Sequence, residues 1–247
     1  MPGESYTPGH TENATAFMAA RNFETHGQFF APYLEPGLSV LDCGCGPGTI
    51  TRGIAERVAP GQVAGVDFGQ SQIEIAQKAA PENISFQTAN CYALPFADAS
   101  FDRIFSHALF EHLSEPVKAL KEFHRVLKPG GIAGICSPDW GGFIFAPESD
   151  KLTAAVKTYR DLQSTNGGDV YVGRKLGVHL AAAGFTRVKL NARCECYEDR
   201  KRIGEYLAQR LDAEQASAAA TAFREWSQKP AAMFAQTWVS AIGSKES

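Results

Sequence analysis

The run Val40-Leu41-Asp42-Cys43-Gly44-Cys45-Gly46-Pro47-Gly48 constrains the fold more than any other stretch of the chain. Residues 38–43 read as a short buried strand that ends in three glycines at alternate positions. Glycine permits a tight turn out of a strand and lets backbone N–H groups come close to a ligand. After the turn, Ile50, Ile54 and Val58 recur at four-residue spacing, which is one buried helical face. A strand, a glycine turn and a helix form the opening unit of a helix-covered parallel sheet.

The unit then repeats. Val63–Asp67 reads as a second strand, and Ser71 with Glu74 forms a capping box for a helix closed by Pro81. Ile84, Phe86 and Thr88 alternate as a third strand, and 104–106 is a fourth. Ser114 and Pro116 start a helix with Val117, Leu120, Phe123 and Leu127 on its buried face. Lys128-Pro129-Gly130-Gly131 stops that helix before a fifth strand at 132–136. The alternation predicts a doubly wound α/β domain with a mainly parallel sheet. Beyond it, 138–172 mixes Pro, Gly and aromatics around a helical patch at 152–162. A helix over 174–183 ends at Gly184. Alternation from Val188 to Cys196 gives a long strand, 199–228 is helical, and 234–242 is a final strand. A single domain over 1–247 follows: an N-terminal helical lid at 1–34, a cofactor-binding core at 36–137, and cover insertions at 138–172 and 199–228.

The composition, 44% hydrophobic and 21% charged over 247 residues, excludes wholesale disorder. With 24 Lys and Arg against 27 Asp and Glu, the net charge of −3 argues against a nucleic-acid partner. The first residues lack the basic and apolar regions of a signal peptide, and the weakly charged stretch at 130–147 is broken by Gly and Pro. No membrane insertion is expected. Cysteines 43, 45, 91, 136, 194 and 196 match no Cys-X-X-Cys spacing, so free thiols, a cytoplasmic location and no metal are expected. Cys194 and Cys196 fall on the apolar face of their strand and are expected in the core.

Three details sharpen the glycine loop. Its spacing is Gly-X-Gly-X-Gly, with Thr49 where the dinucleotide fingerprint would place its last glycine. Asp42, just before the first glycine, would repel a pyrophosphate but suits an ammonium group. Asp67, at the end of the second strand, can accept both hydroxyls of a ribose. A ligand with a ribose, an ammonium group and no pyrophosphate is S-adenosylmethionine. The motifs from Asp42 to Gly48, Val66-Asp67, Leu94-Pro95-Phe96, Phe101-Asp102-Arg103-Ile104 and Leu127-Lys128-Pro129-Gly130-Gly131 resemble those of class I S-adenosylmethionine-dependent methyltransferases. They are most similar to the ubiquinone/menaquinone-biosynthesis type, in register over roughly residues 36–137.

The resemblance implies a Rossmann-like, mainly parallel seven-stranded sheet with an antiparallel last strand, the 199–228 helices being inserted before that strand. It also implies residue roles. Gly44, Cys45, Gly46 and Gly48 would approach the methionine part and ribose, with Asp67 on the ribose hydroxyls and Phe68 against the adenine. Backbone groups near Ser106 and His107 would lie under the amino acid moiety. Asn90 stands where the family usually has an acid; its amide oxygen can still accept from the adenine amino group, with the Cys91 N–H on the ring nitrogen.

His107, Glu111 and His112 follow the fourth strand at the sheet edge where such folds bind ligands. Any of them could be a general base, and they could equally cap and solvate the start of a helix. Tyr6, His10 and Arg21 belong to an N-terminal segment that is either a lid contributing to the acceptor site or a tail. Trp140, Phe143 and Phe145 would line an acceptor pocket or pack the lid. The expected activity is methyl transfer to a small aromatic or apolar molecule by a monomer or homodimer, with S-adenosylhomocysteine as product. Two alternatives stand beside it: a nucleotide-dependent oxidoreductase, which the glycine spacing and Asp42 oppose, and a methyltransferase-like subunit that binds without turnover.

Overall fold

The computed structural model describes residues 7, 9, 12–78 and 80–247. Five parallel strands lie side by side: β1 (Val40–Cys43), β2 (Val63–Asp67), β3 (Ile84–Thr88), β4 (Phe101–His107) and β5 (Leu127–Pro138). Their order across the sheet is β3-β2-β1-β4-β5. The chain leaves β1 toward one edge and returns to β1's other side for β4 and β5. The loops after β1 and β4 therefore diverge, and a crevice opens at the C-terminal ends of these strands.

Beyond β5 the direction changes. β8 (Met233–Ser244) runs antiparallel to β5 on one side and to β7 (Thr186–Tyr197) on the other, as the antiparallel last strand required. The described residues form eight strands where seven were expected. The addition is β6 (Ile144–Ala146), which pairs with β8 just past the end of β5. Three residues are too few for a period-2 pattern to show in the sequence.

Helices α2 (Thr49–Val58) and α4 (Pro116–Val126) bury the faces their spacing called for, including Ile54, Val58, Leu120 and Phe123. Helix α3 (Gln70–Gln77) departs from expectation. Its N-cap is Gly69, and Ser71 and Glu74 lie inside the helix instead of forming a capping box. The Asp67 carboxylate accepts the Gly69 N–H at 2.8 Å, so a turn made by the preceding strand starts the helix early.

The helical turns at 23–33 cover one side of the sheet, with Phe23 and Phe30 buried, whereas helix α1 (Glu12–Ala19) sets Phe17 against Tyr206. Phe30 lies directly on Gly134 of β5, where an added Cβ would sit 2.2 Å from the ring. A second apolar core stands over the C-terminal edge of the sheet. It joins α5 (Asp150–Thr165) to α7 (Arg200–Ala213) and α8 (Ser217–Ser227) through Leu152, Tyr159, Leu207, Phe223 and Trp226. Helix α6 (Leu176–Ala182) packs on the first half of β7, with Gly177 against Leu190. The rest of that face is open, so Cys194 and Cys196 are exposed and not in the core as expected. Among the described residues no helix is long and apolar enough to cross a membrane.

The Phe30–Gly134 contact gives a stability test. Gly134→Val would force Phe30 out of its seat and should destabilise the fold by about 1–3 kcal/mol, read as a lower urea midpoint. An unchanged midpoint would show that the N-terminal segment is not anchored there.

Candidate active site

The glycine loop passes through left-handed backbone at Gly44 (φ 81°), Gly46 (φ 51°) and Gly48 (φ 77°). The three differ in what they make room for. A Cβ at Gly48 would strike the Phe86 ring at 2.7 Å, so Gly48 serves the packing of α2 on the sheet. A Cβ at Gly46 would meet only the Met18 sulfur at 3.8 Å, because Gly46 faces an open cleft. Asp67 holds this geometry: the Gly46 N–H donates to Oδ2 at 2.9 Å while Gly69 occupies Oδ1. A carboxylate oxygen can accept two hydrogen bonds, so a diol can be received by oxygens the loop has already fixed.

The cleft has a volume of about 490 Å³, and Gly44, Cys45, Gly46, Asp67, Cys91 and His107 all line it. Phe68 forms its rim and is 59% exposed. Four expected residues do not line the cleft: Gly48, which serves packing instead, and three more. Asp42 points away from the cleft into α2, where the Thr51 hydroxyl donates to Oδ2 at 2.6 Å, and burial pushes its carboxyl up to about 7. An ammonium group in the cleft would not meet that carboxylate. The Ser106 hydroxyl donates to the Cys43 carbonyl at 2.8 Å, tying β4 to β1 below the crevice. The Asn90 amide oxygen accepts the Tyr92 N–H at 2.9 Å and so closes its own turn.

A second, smaller cavity of about 60 Å³ lies behind the first, and Met18, Arg21, Ala108 and His112 line both. Its wall is aromatic. The Trp140 ring lies 4.4 Å from Phe143 and 5.3 Å from Tyr159, both near-parallel to it. Phe145 does not reach this cavity; it packs against Phe234 and Trp226 with ring separations of 4.8 and 5.3 Å. Tyr6 and His10 lie outside the described residues.

Glu111 and His112 line the inner cavity and His107 the outer, so none of them merely solvates a helix start. All three are held in place. The Glu111 carbonyl accepts from Gln163 Nε2 at 3.0 Å and from the Asp169 N–H at 3.1 Å, which joins its turn to α5 and the loop after it. His107 sits against Trp238 and His26, with ring separations of 4.5 and 5.0 Å. Burial dominates their protonation. It drives His107 well below its ordinary value and brings His26 and His112 down to about 3, so these imidazoles are neutral at pH 7. Burial raises Glu111 to about 7. Of the three candidate bases, Glu111 alone titrates near neutrality, where a general base is most effective. Met18, His26, Tyr206 and Trp238 also shape the site, and they reach it only through long-range packing that no local pattern marks.

Residues 41–135 match the family described as "Methyltransferase domain". An uncharacterized methyltransferase of Schizosaccharomyces pombe is 36% identical over 148 residues, which is 56% of this chain and 49% of that protein. The demethylmenaquinone methyltransferase of Lactococcus lactis is 42% identical over 100 residues, 38% of this chain and 40% of that protein. The chain thus spans about half the length, or less, of these curated relatives. Among solved structures, the YcgJ protein from Bacillus subtilis superposes with a TM-score of 0.66 at 19% identity, covering 89% of this chain and 97% of the other. At that identity the likeness is one of fold.

Two carboxyls kept neutral by burial make stability depend on pH in a defined direction. From the ordinary value of 4.5 up to about 7, folded Glu111 keeps a proton that the unfolded chain has released. Its contribution to stability is therefore lost as pH rises through that window, and Asp42 adds the same effect from 3.8 to about 7. In urea unfolding at about pH 5 and about pH 7.5, Glu111→Gln and Asp42→Asn should each gain on the wild type at the higher pH. A pH-independent difference would show that the carboxyls are not held neutral.

Proposed function

We propose that this chain transfers a methyl group from S-adenosylmethionine to a small aromatic or apolar acceptor at the inner cavity, a reading supported by the match of residues 41–135 to a methyltransferase domain. The observation that carries the reading is the wall shared by the two cavities: Met18, Arg21, Ala108 and His112 line both, so ligands in each can meet at one boundary. The residues of the outer cleft fit the donor. Asp67 offers a fixed carboxylate to the ribose hydroxyls, Gly44 to Gly46 leave backbone room beside the methionine part, and Phe68 offers a ring to the adenine.

Bound there, S-adenosylmethionine supplies an electrophilic methyl group on a sulfonium, open to in-line displacement. The chain's own contribution is alignment and proton handling. Trp140, Phe143 and Tyr159 orient an aromatic acceptor against the shared wall. Where the acceptor must lose a proton, the ionised form of Glu111, present near pH 7 beside the protonated one, takes it; His107 and His112, neutral and buried, keep the boundary free of additional positive charge. Met18 over Gly46 and α1 behind it exclude water from the crossing point.

Calorimetric titration with S-adenosylhomocysteine tests the donor half. Asp67→Ala should lose about 2–4 kcal/mol of binding, since it removes a charge-assisted acceptor and the clamp on Gly46 together. Unchanged affinity would overturn the assignment. For the acceptor half, protein incubated with methyl-labelled S-adenosylmethionine and a metabolite extract should label a small molecule. Trp140→Ala should raise the Michaelis constant for that molecule and leave cofactor affinity unaltered; equal effects on both ligands would place Trp140 outside the acceptor site.

A further inference from the structure

Arg21 is the group that the proposed transfer leaves unexplained. It stands on the shared wall and lines both cavities. Its guanidinium lies 5.1 Å from the Phe17 ring centroid and 5.2 Å from that of Trp238, and its Nε is buried with no hydrogen-bond partner. No carboxylate of the described residues lies within ion-pairing distance of it. Other guanidiniums of the chain have carboxylate partners, Arg125 with Glu122 and Arg224 with Glu205, whereas Arg200 shares with Arg21 a buried Nε without a partner but lines neither cavity. Burying the Nε of a guanidinium without a partner is costly, and aromatic faces return only part of that cost. A guanidinium held in this way is set up to receive an anion in its planar fork.

The surroundings contribute no competing anion. Arg193 beside it is already paired with Glu195 at 3.3 Å, and His26, His107 and His112 are neutral. Glu111 lines the same inner cavity, and its Oε2 is buried without a partner. Building on the methyl-transfer reading, we propose that the acceptor is an aromatic molecule carrying an anionic oxygen group of the carboxylate type. That group is received by Arg21, with the Glu111 carboxyl as the second polar group of the same site. A negative acceptor also suits a donor whose reacting centre is positive, because the two charges attract across the shared wall.

Occupation by an anion is coupled to the proton on Glu111. The titratable and charged groups facing that carboxyl are Arg21 from the N-terminal segment, Cys136 from β5, Tyr206 from α7 and His112 on its own turn, with the Ser137 hydroxyl beside it. Of these only Arg21 is charged at neutral pH. Once an anion neutralises Arg21, an ionised Glu111 loses its one favourable charge partner and faces a like charge. The anion therefore binds best to the protonated carboxyl, and binding weakens as pH rises through the range in which Glu111 ionises.

The test uses the full chain saturated with S-adenosylhomocysteine, titrated with benzoate and with benzamide as its neutral twin, and read by tryptophan fluorescence. Benzoate should bind at least about tenfold more tightly than benzamide. Arg21→Met should remove that preference, and Arg21→Lys should restore part of it. Benzoate affinity should fall between about pH 6 and about pH 8, and Glu111→Gln should flatten the fall. Circular dichroism and urea midpoints verify that each variant is folded. Equal affinities for the two probes, no detectable benzoate binding, or a wild-type preference surviving in Arg21→Met would overturn the proposal. So would an Arg21→Met protein that loses affinity for S-adenosylhomocysteine but keeps it for 5′-methylthioadenosine, since Arg21 would then hold the donor's own carboxylate. A wild-type protein that binds no S-adenosylhomocysteine would instead remove the methyl-transfer reading beneath it.

Discussion

Two backbone N–H groups from separate loops end on one carboxylate. Asp67, last residue of β2, accepts from Gly46 in the loop after β1 and from Gly69 in the loop after β2. The parallel register that sets Cys43 beside Val66 brings these loops to the same level, and the carboxylate then fixes their distance. From this follow the left-handed turn at Gly46, the early start of α3, and a negative group anchored at the mouth of the crevice. Each loop takes its own oxygen of the one carboxylate, Gly46 on Oδ2 and Gly69 on Oδ1. The cleft depends on this clamp more than on any apolar contact around it.

The same clamp explains what sequence could and could not convey. Ile54, Val58, Leu120 and Phe123 lie where their spacing places them, because a helical period is a local property that burial only has to accept. Asp67 was legible for a similar reason: a carboxylate ending the second strand of such a sheet has few places to go. Asp42 was not. The residues of a strand alternate between its faces, and a residue next to a glycine turn has an equal claim to the cleft and to the helix behind it. The helix held Thr51, and the carboxyl turned to it. Cys194 and Cys196 teach the converse: alternation identified their face correctly, but whether a face is covered depends on how far a neighbouring helix reaches, and α6 stops at Leu190. His26 and Trp238 meet His107 only because β8 threads between β5 and β7, a pairing between segments far apart in the chain.

The electrostatic character of the site follows from dryness more than from charge. The imidazoles of His26, His107 and His112 and the carboxyls of Asp42 and Glu111 are all buried, which leaves the three rings neutral and lifts both acids toward neutrality. The fixed positive charge on the shared wall is Arg21, supported on aromatic faces. A dry site of this kind is sensitive to small charge changes. One proton on Glu111 or one anion at Arg21 alters the local field strongly, because buried and half-buried charges are screened less than exposed ones.

The aromatic cavity is built from detours of the chain, whereas the cleft is built mainly from the turns of the sheet itself, with Met18, Arg21 and Arg210 at its border. Its cover comes from α5, which intervenes between β6 and α6, and from α7, which with α8 fills the connection between β7 and β8. The two ends of that last connection are neighbouring antiparallel strands, Tyr197 lying opposite Phe234, so the sheet would close equally well around a short hairpin or a different pair of helices. The cover is in effect an exchangeable cassette. Lengthening, trimming or replacing it would redraw the chamber beside Trp140 without disturbing the hydrogen bonds on Asp67. In a lineage of such proteins, the chamber can change shape while the loops joined at Asp67 keep theirs.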